Sequence, residues 1–132
     1  MGQQQLLLIV LGVIIVGIAV VVGINVFSAS SLQANNDAVI ADLTNMGSMA
    51  QQYYRKPSQL GGGGQDFGGW KIPGKLVSTP NGTYSVSDSG STATYIVLQG
   101  KGNEVNNSGD TLLVSLRVEP SDLRVVSTNV ND

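Results

Sequence analysis

The chain contains no cysteine and no histidine. The first absence excludes disulfide cross-links and thiolate metal sites. The second removes the commonest general base and the commonest metal ligand. Aromatic residues are sparse, with one Trp, four Tyr and two Phe in 132 residues. Charge is sparse as well: seven basic and nine acidic residues, with no charged run longer than Arg55-Lys56, give a net charge of −2. No basic stripe exists, so nucleic acid is not expected as a primary partner.

The most informative absence is local. No charged side chain occurs from Met1 to Asn36; the first is Asp37. Between Leu6 and Phe27 the only strongly polar residue is Asn25. The apolar character of the chain therefore belongs to one end. What remains is polar, rich in Gly, Ser, Thr and Asn, and long enough for one small domain.

As a helix, Leu6 to Phe27 spans about 33 Å, against about 30 Å for a bilayer core. Three readings compete for it. A cleavable secretory signal needs a basic start and an apolar run of about 7–15 residues. Met1 to Gln5 has no basic residue and the run is longer, although Phe27-Ser28-Ala29-Ser30-Ser31 offers small-residue cleavage context. An ordinary membrane anchor fits the length but lacks flanking Lys/Arg and Trp/Tyr. The third reading is a segment that resides first in a membrane and later in a protein bundle. Gly12, Gly17 and Gly23 suit it, because small residues let helices approach closely. Each also costs helix stability and permits local stretching. Ordinary membrane-helix glycines explain the same pattern.

The stretch Gln5-Leu6-Leu7-Leu8-Ile9-Val10-Leu11-Gly12-Val13-Ile14-Ile15-Val16-Gly17-Ile18-Ala19 resembles the N-terminus of a mature type IV pilin. That family has a short polar start, a key fifth residue, then an apolar run with embedded helix breakers. The resemblance covers the first part of the chain in pattern and the remainder in architecture. It implies a filament-core assembly surface made of Met1, Gln5, Leu6, Leu7, Ile9, Val10, Gly12, Val13, Ile14, Gly17, Ile18, Val21, Gly23 and Phe27. Its implied partners are identical subunits in a helical homopolymer, and, before assembly, the inner membrane and the pilus assembly machinery. The implied location is an extracellular filament on the cell surface. Aligning Gln5 with the family's fifth position makes Met1 the expected first residue of the processed chain. Two departures stand out. The family usually places Glu at the fifth position, to pair with a neighbour's amine, and Gln5 can hydrogen-bond but cannot form an ion pair. Val22-Gly23 stands where members often carry a helix-breaking Pro.

Nothing from Ser28 to Ala34 stops a helix. From Leu32 a second pattern begins: Leu32, Val39, Leu43, Met46, Ala50 and Tyr53 recur at helical spacing and predict a stripe that lies on a sheet. Asp37, Asp42, Asn45 and Gln52 are expected on the opposite side. Pro57 disfavours helix at Lys56, which ends the helix near Tyr54. A helix from about residue 3 to 54 is about 75 Å long, more than a small domain can bury, so its first half is expected to project. The stretch 55–82 reads as a glycine-rich connecting loop; Gly61-Gly62-Gly63-Gly64 suggests flexibility, with Phe67, Trp70 and Ile72 pinning it back.

Residues 83–132 carry runs that read as strands: Thr83–Ser87, Ala93–Leu98, Thr111–Val118 and Leu123–Ser127, the first two joined by a turn at Asp88-Ser89-Gly90-Ser91. Leu112, Val114, Leu116 and Val118 alternate with Leu113, Ser115 and Arg117. The expected fold is α+β: one long N-terminal α-helix, apolar in its projecting first half and amphipathic in its second, packed on a C-terminal four-stranded antiparallel β-meander. Residues 1–27 are the membrane or filament-core segment, and residues 32–54 join the sheet in one globular head.

Little in the chain supports chemistry. Gly69-Trp70-Lys71-Ile72-Pro73-Gly74-Lys75 fits G-x4-G-K, but Leu76 follows where a phosphate loop needs Ser or Thr. Asp66-Phe67-Gly68 matches a kinase tripeptide without that family's other loops. Asp88, Glu104, Asp110 and Asp122 sit in or beside turns without the spacing of a calcium loop. No Ser has a visible base to activate it. Neither enzymatic activity nor a cofactor is expected. Asn81-Gly82-Thr83 and Asn106-Asn107-Ser108 are glycan-acceptor tripeptides, making Asn81 and Asn106 candidate glycosylation sites. A structural filament subunit is the leading expectation. The alternatives are a membrane-anchored extracytoplasmic binding module and a pseudopilin of a secretion system.

Overall fold

Residues 2–55 contain no proline, and in the computed structural model a single helix, α1, runs Gly2–Arg55. It stops just short of Pro57, whose ring disfavours helical geometry for the residue before it. The structure describes residues 2–87 and 93–130; Met1 and the expected turn Asp88-Ser89-Gly90-Ser91 lie outside the described residues. A one-turn 3-10 helix (Ser58–Leu60) follows α1. Five strands come next: β1 (Ser78–Thr79), β2 (Gly82–Ser87), β3 (Ile96–Val105), β4 (Thr111–Glu119) and β5 (Asp122–Thr128). The chain divides into two compact units, Met1–Ser31 and Leu32–Asp132.

Within the second unit the strands form one antiparallel sheet in sequence order, β1-β2-β3-β4-β5. One face is covered by the second half of α1. Its buried residues are Leu32, Asn36, Val39, Leu43, Met46, Gly47 and Ala50, which follow steps of three and four along one face. They meet Tyr84 of β2, Ile96 and Leu98 of β3, and Leu112, Val114, Leu116 and Val118 of β4. Thr83, Ser85, Lys101 and Leu113 lie exposed on the other face, which is the alternation of a sheet solvated on one side.

The sheet has five strands where four were expected. The extra strand, β1, pairs through Ser78↔Thr83 and Thr79↔Gly82. Two residues are too few to show a period, so periodicity could not reveal it. Pro80 and Asn81 make the reversal, with φ preset by the proline ring. β3 also differs, starting at Ile96 rather than Ala93 and continuing to Val105. Gly100 and Gly102 broke the pattern in sequence, yet both are strand residues because α1 approaches them closely. A Cβ at Gly100 would come within 2.7 Å of Val39 Cγ1, and one at Gly102 would collide with Asn35 Oδ1, both atoms of α1. Glycine inside a strand commonly marks such an approach. Gly47 plays the same part on the helix, where a Cβ would lie 2.7 Å from Leu123 Cδ2.

The four-glycine stretch is not a free loop. The last carbonyls of a helix lack intrahelical donors, and here the loop supplies them. Gly63 N–H donates to Tyr53 O at 2.8 Å, Gly64 N–H to Lys56 O at 2.9 Å, and Gln65 N–H to Tyr54 O at 2.7 Å. A side chain at Gly62 or Gly63 would collide with the backbone of Lys56 or Asp66. Beyond it Phe67 is buried and stacks on Tyr54 with ring centroids 4.6 Å apart, while Trp70 and Ile72 pack partly buried against the core.

Polar side chains on the flanks of the stripe fix where α1 lies on the sheet. Asn35 Nδ2 donates to Asn81 O at 2.9 Å, and its Oδ1 accepts from Asn103 N–H at 2.9 Å. Buried Asn36 accepts from Thr128 Oγ1 at 3.2 Å. At the other end Gln51 Nε2 donates to Glu119 O at 2.9 Å and Arg55 Nη2 to Pro120 O at 3.0 Å. Asp42 departs from expectation. It sits on the flank rather than the far side, and its Oδ2 accepts from Tyr84 Oη at 2.6 Å, Thr79 Oγ1 at 2.9 Å and Asn81 Nδ2 at 3.1 Å. One step from Leu43 turns a side chain only about 100° away from the stripe. That is within reach of the β1–β2 hairpin. Asp37, Asn45 and Gln52 are exposed as expected.

Partial burial alone would push the Asp42 carboxyl up; its hydrogen bonds, from Tyr84 first, outweigh that and hold it below its ordinary value. Tyr84 is pushed up to about 12, first by burial and then by its bond to Asp42. A depressed carboxyl contributes stability that is fully present above about pH 4 and lost as the pH falls through the folded-state value. Asp42→Asn is therefore expected to lower the urea midpoint of the head at pH 7, followed by Trp70 fluorescence in the detergent-solubilised chain. The deficit should shrink as the pH drops below about 4. In the same assay Leu43→Ala, at a fully buried position, is expected to cost about 2–5 kcal/mol.

Candidate functional site: an apolar helical surface

In the first unit the sequence leaves no polar face to turn toward water. Apolar residues occupy every direction around the helix from Leu6 to Phe27, a pattern that belongs in lipid or in a protein bundle. Every large apolar side chain there is more than half exposed, from 53% at Leu11 and Ile14 to 71% at Phe27. This is the one helix among the described residues long and apolar enough to cross a membrane, and none of its most apolar window is buried. Its backbone N–H and C=O groups are satisfied within the helix, the condition for entering an apolar medium.

The expected assembly residues Gln5, Leu6, Leu7, Ile9, Val10, Gly12, Val13, Ile14, Gly17, Ile18, Val21, Gly23 and Phe27 are all exposed on this surface. Met1 lies outside the described residues. No tertiary contact gathers them; they share only the helix. Gly12, Gly17 and Gly23 have nothing within 4 Å of the position a Cβ would take. No contact inside the chain requires glycine at any of the three, though each costs about 1 kcal/mol of helix stability relative to Ala. Asn25 is exposed on this surface too, and its carboxamide makes no hydrogen bond among the described residues.

The helix-on-sheet set falls where expected for Leu32, Val39, Leu43, Met46 and Ala50, all buried. Tyr53 is half-buried and its hydroxyl donates to Gly68 O at 3.0 Å. Sequence reading missed Asn36 and Gly47 on the same stripe, because a polar residue and a glycine do not register as apolar positions. The step from Leu32 to Val39 spans two turns and left room for Asn36.

Neither glycan-acceptor asparagine presents a free carboxamide. Asn106 is 5% exposed, and its Nδ2 donates to Asn129 O at 3.1 Å. Its Oδ1 accepts from the Ser108 and Asp110 N–H groups at 3.0 and 2.9 Å. It holds the β3–β4 turn from inside, whereas an acceptor asparagine needs an exposed loop. Asn81 spends its Nδ2 on Asp42 at 3.1 Å. Gly69 to Lys75 is irregular chain with neither a strand before it nor a helix after it. Asp66 Oδ1 accepts from Gly68 N–H at 2.6 Å, a local turn. Glu104, Asp110 and Asp122 join no group of three metal-ligating side chains among the described residues, and Asp88 lies outside them.

The head carries an open, mostly apolar groove of about 680 Å³, walled by Phe67, Trp70 and Ile72 on one side and Tyr84, Val86 and Ile96 on the other. No family model, curated protein or solved structure matches the chain.

Because no contact inside the chain constrains Gly12, Gly17 and Gly23, alanine at each is expected to leave the urea midpoint of the head unchanged. Amide exchange of the apolar helix in micelles should slow, as about 1 kcal/mol of helix stability is gained per site. Nuclear magnetic resonance of the detergent-solubilised chain reads both.

Proposed function

We propose that the chain is a structural subunit of an extracellular filament of the type IV pilus kind, polymerising through its apolar N-terminal helix. The observation that carries this reading is the pairing of two helical patterns in one continuous element. A stripe of seven residues between Leu32 and Ala50 is buried on a sheet, while Leu6 to Phe27 is exposed and apolar on all sides. The subunit first resides in the inner membrane by this helix, then leaves it for the filament core, where neighbouring copies replace lipid.

Covering these side chains removes apolar surface from water at about 25 cal/mol per Å². Between bilayer and filament that term nearly cancels, because lipid tails are as apolar as leucine. Close packing, helped by Gly12, Gly17 and Gly23, then decides the transfer. Gln5 replaces the family's usual acid, so subunit registration by an ion pair does not operate at this position.

A second reading has its own support. The groove beside Trp70 suits a membrane-anchored binding module that remains monomeric. Electron microscopy of material sheared from the cell surface separates the two. Filaments that contain this chain are expected; a chain found only in the membrane fraction, with no filament or short periplasmic fibre, would favour the binding module. Intact mass of the surface-exposed chain adds a check, since a mature chain starting near Ser30 would mean an ordinary secreted domain.

A further inference from the structure

Two amide side chains bound the apolar run: Gln5 adjoins its start and Asn25 lies near its end. Both are exposed, and neither side chain makes a hydrogen bond among the described residues. Three other polar side chains of α1 find partners within the helix itself. Thr44 Oγ1 donates to Ile40 O at 2.7 Å, Ser48 Oγ to Thr44 O at 3.1 Å, and Gln33 Nε2 to Asp37 Oδ1 at 3.0 Å. An amide carried into an apolar bundle without a partner is costly, so each must be met from outside the chain.

We propose that Gln5 of one copy hydrogen-bonds Asn25 of a second, parallel copy, and that this pair sets the stagger between subunits. The inference rests on the filament reading and adds its registration. Carboxamides are self-complementary, each offering a donor N–H2 and an acceptor C=O, so one pair satisfies both groups. Twenty residues separate the two positions, which places them about 30 Å apart along the helix and about 200° apart around it. Nearly opposite faces make the contact heterologous: a copy that receives a neighbour at Asn25 still offers Gln5 to another. Such contacts repeat without closing and generate an open helical polymer. Pairing Asn25 with Asn25 would instead close at a dimer and leave Gln5 unmet on the far side. The axial offset of the contacting copies is then about 30 Å, and the copies between them cover the apolar flanks.

The absence of native cysteine makes the test clean. Filaments of the double variant Gln5→Cys/Asn25→Cys are oxidised and run on a denaturing gel. A ladder of trimers and longer species is the expected result. Dimers alone, dimers from the single variant Asn25→Cys, or no cross-link in intact filaments would overturn the pairing. Should the double-cysteine chain not assemble, two further variants decide. The exchange Gln5→Asn/Asn25→Gln keeps the pair and is expected to give filaments at the unmodified yield. Asn25→Leu is expected to lower the yield about tenfold, a contact of about 1.4 kcal/mol. Unchanged assembly by Asn25→Leu refutes the pair. Filaments without the ladder would sink this inference alone, whereas no filament from the unmodified chain would sink the filament reading with it.

Discussion

The head depends on one contact: a single face of a single sheet covered by a single stripe of helix. A sheet of five strands with one apolar face cannot be stable in water unless something buries that face. The chain offers one amphipathic helix for the purpose, and residues Leu32 to Ala50 supply it. Because the helix is the one regular element of the second layer among the described residues, its position must be set closely. Three glycines allow that. Gly47 on the helix and Gly100 and Gly102 on β3 remove the side chains that would hold the layers apart.

Burial alone would let the helix slide along its axis, since the hydrophobic effect is not directional. Hydrogen bonds at the rim remove that freedom. Asn35 and Asn36 tie one end of the stripe to the β1–β2 turn, β3 and β5, Asp42 ties the middle to the β1–β2 hairpin, and Gln51 and Arg55 hold the β4–β5 turn. The glycine-rich loop works in the same way at the helix end, lending its N–H groups to carbonyls that would otherwise lack donors. Two features that look like solvated punctuation in the sequence are thus structural: a helical aspartate and a run of glycines.

The other half of the helix follows the opposite logic. Its backbone is satisfied, its side chains are uncharged, and no polar face directs it toward water. An uncharged apolar surface of this extent is costly to leave in water. Gln5 and Asn25 are the polar exceptions at its two ends, and hydrogen-bond economy gives them the same requirement as the apolar side chains between them.

The long helix and the α+β class were legible in sequence, because each rests on periodicity or composition carried by many residues at once. The stripe from Leu32 to Ala50 and the alternation of β4 are of this kind, and so is the uncharged run that defines the candidate surface. What tertiary structure decided rests on single residues whose partners are far away in sequence. Gly100 and Gly102 fall beyond the strand run read from sequence, because glycine has low strand preference, and only the fold shows Val39 and Asn35 of α1 approaching them within β3. Asp42 read as solvated because a carboxylate usually is; the hydrogens that hold it come from residues 79–84, which no local pattern connects to position 42. Asn106 read as a glycan acceptor from three letters, and only the fold shows its carboxamide turned inward. Local patterns report what neighbours along the chain require, whereas close approach and hydrogen-bond pairing are properties of neighbours in space.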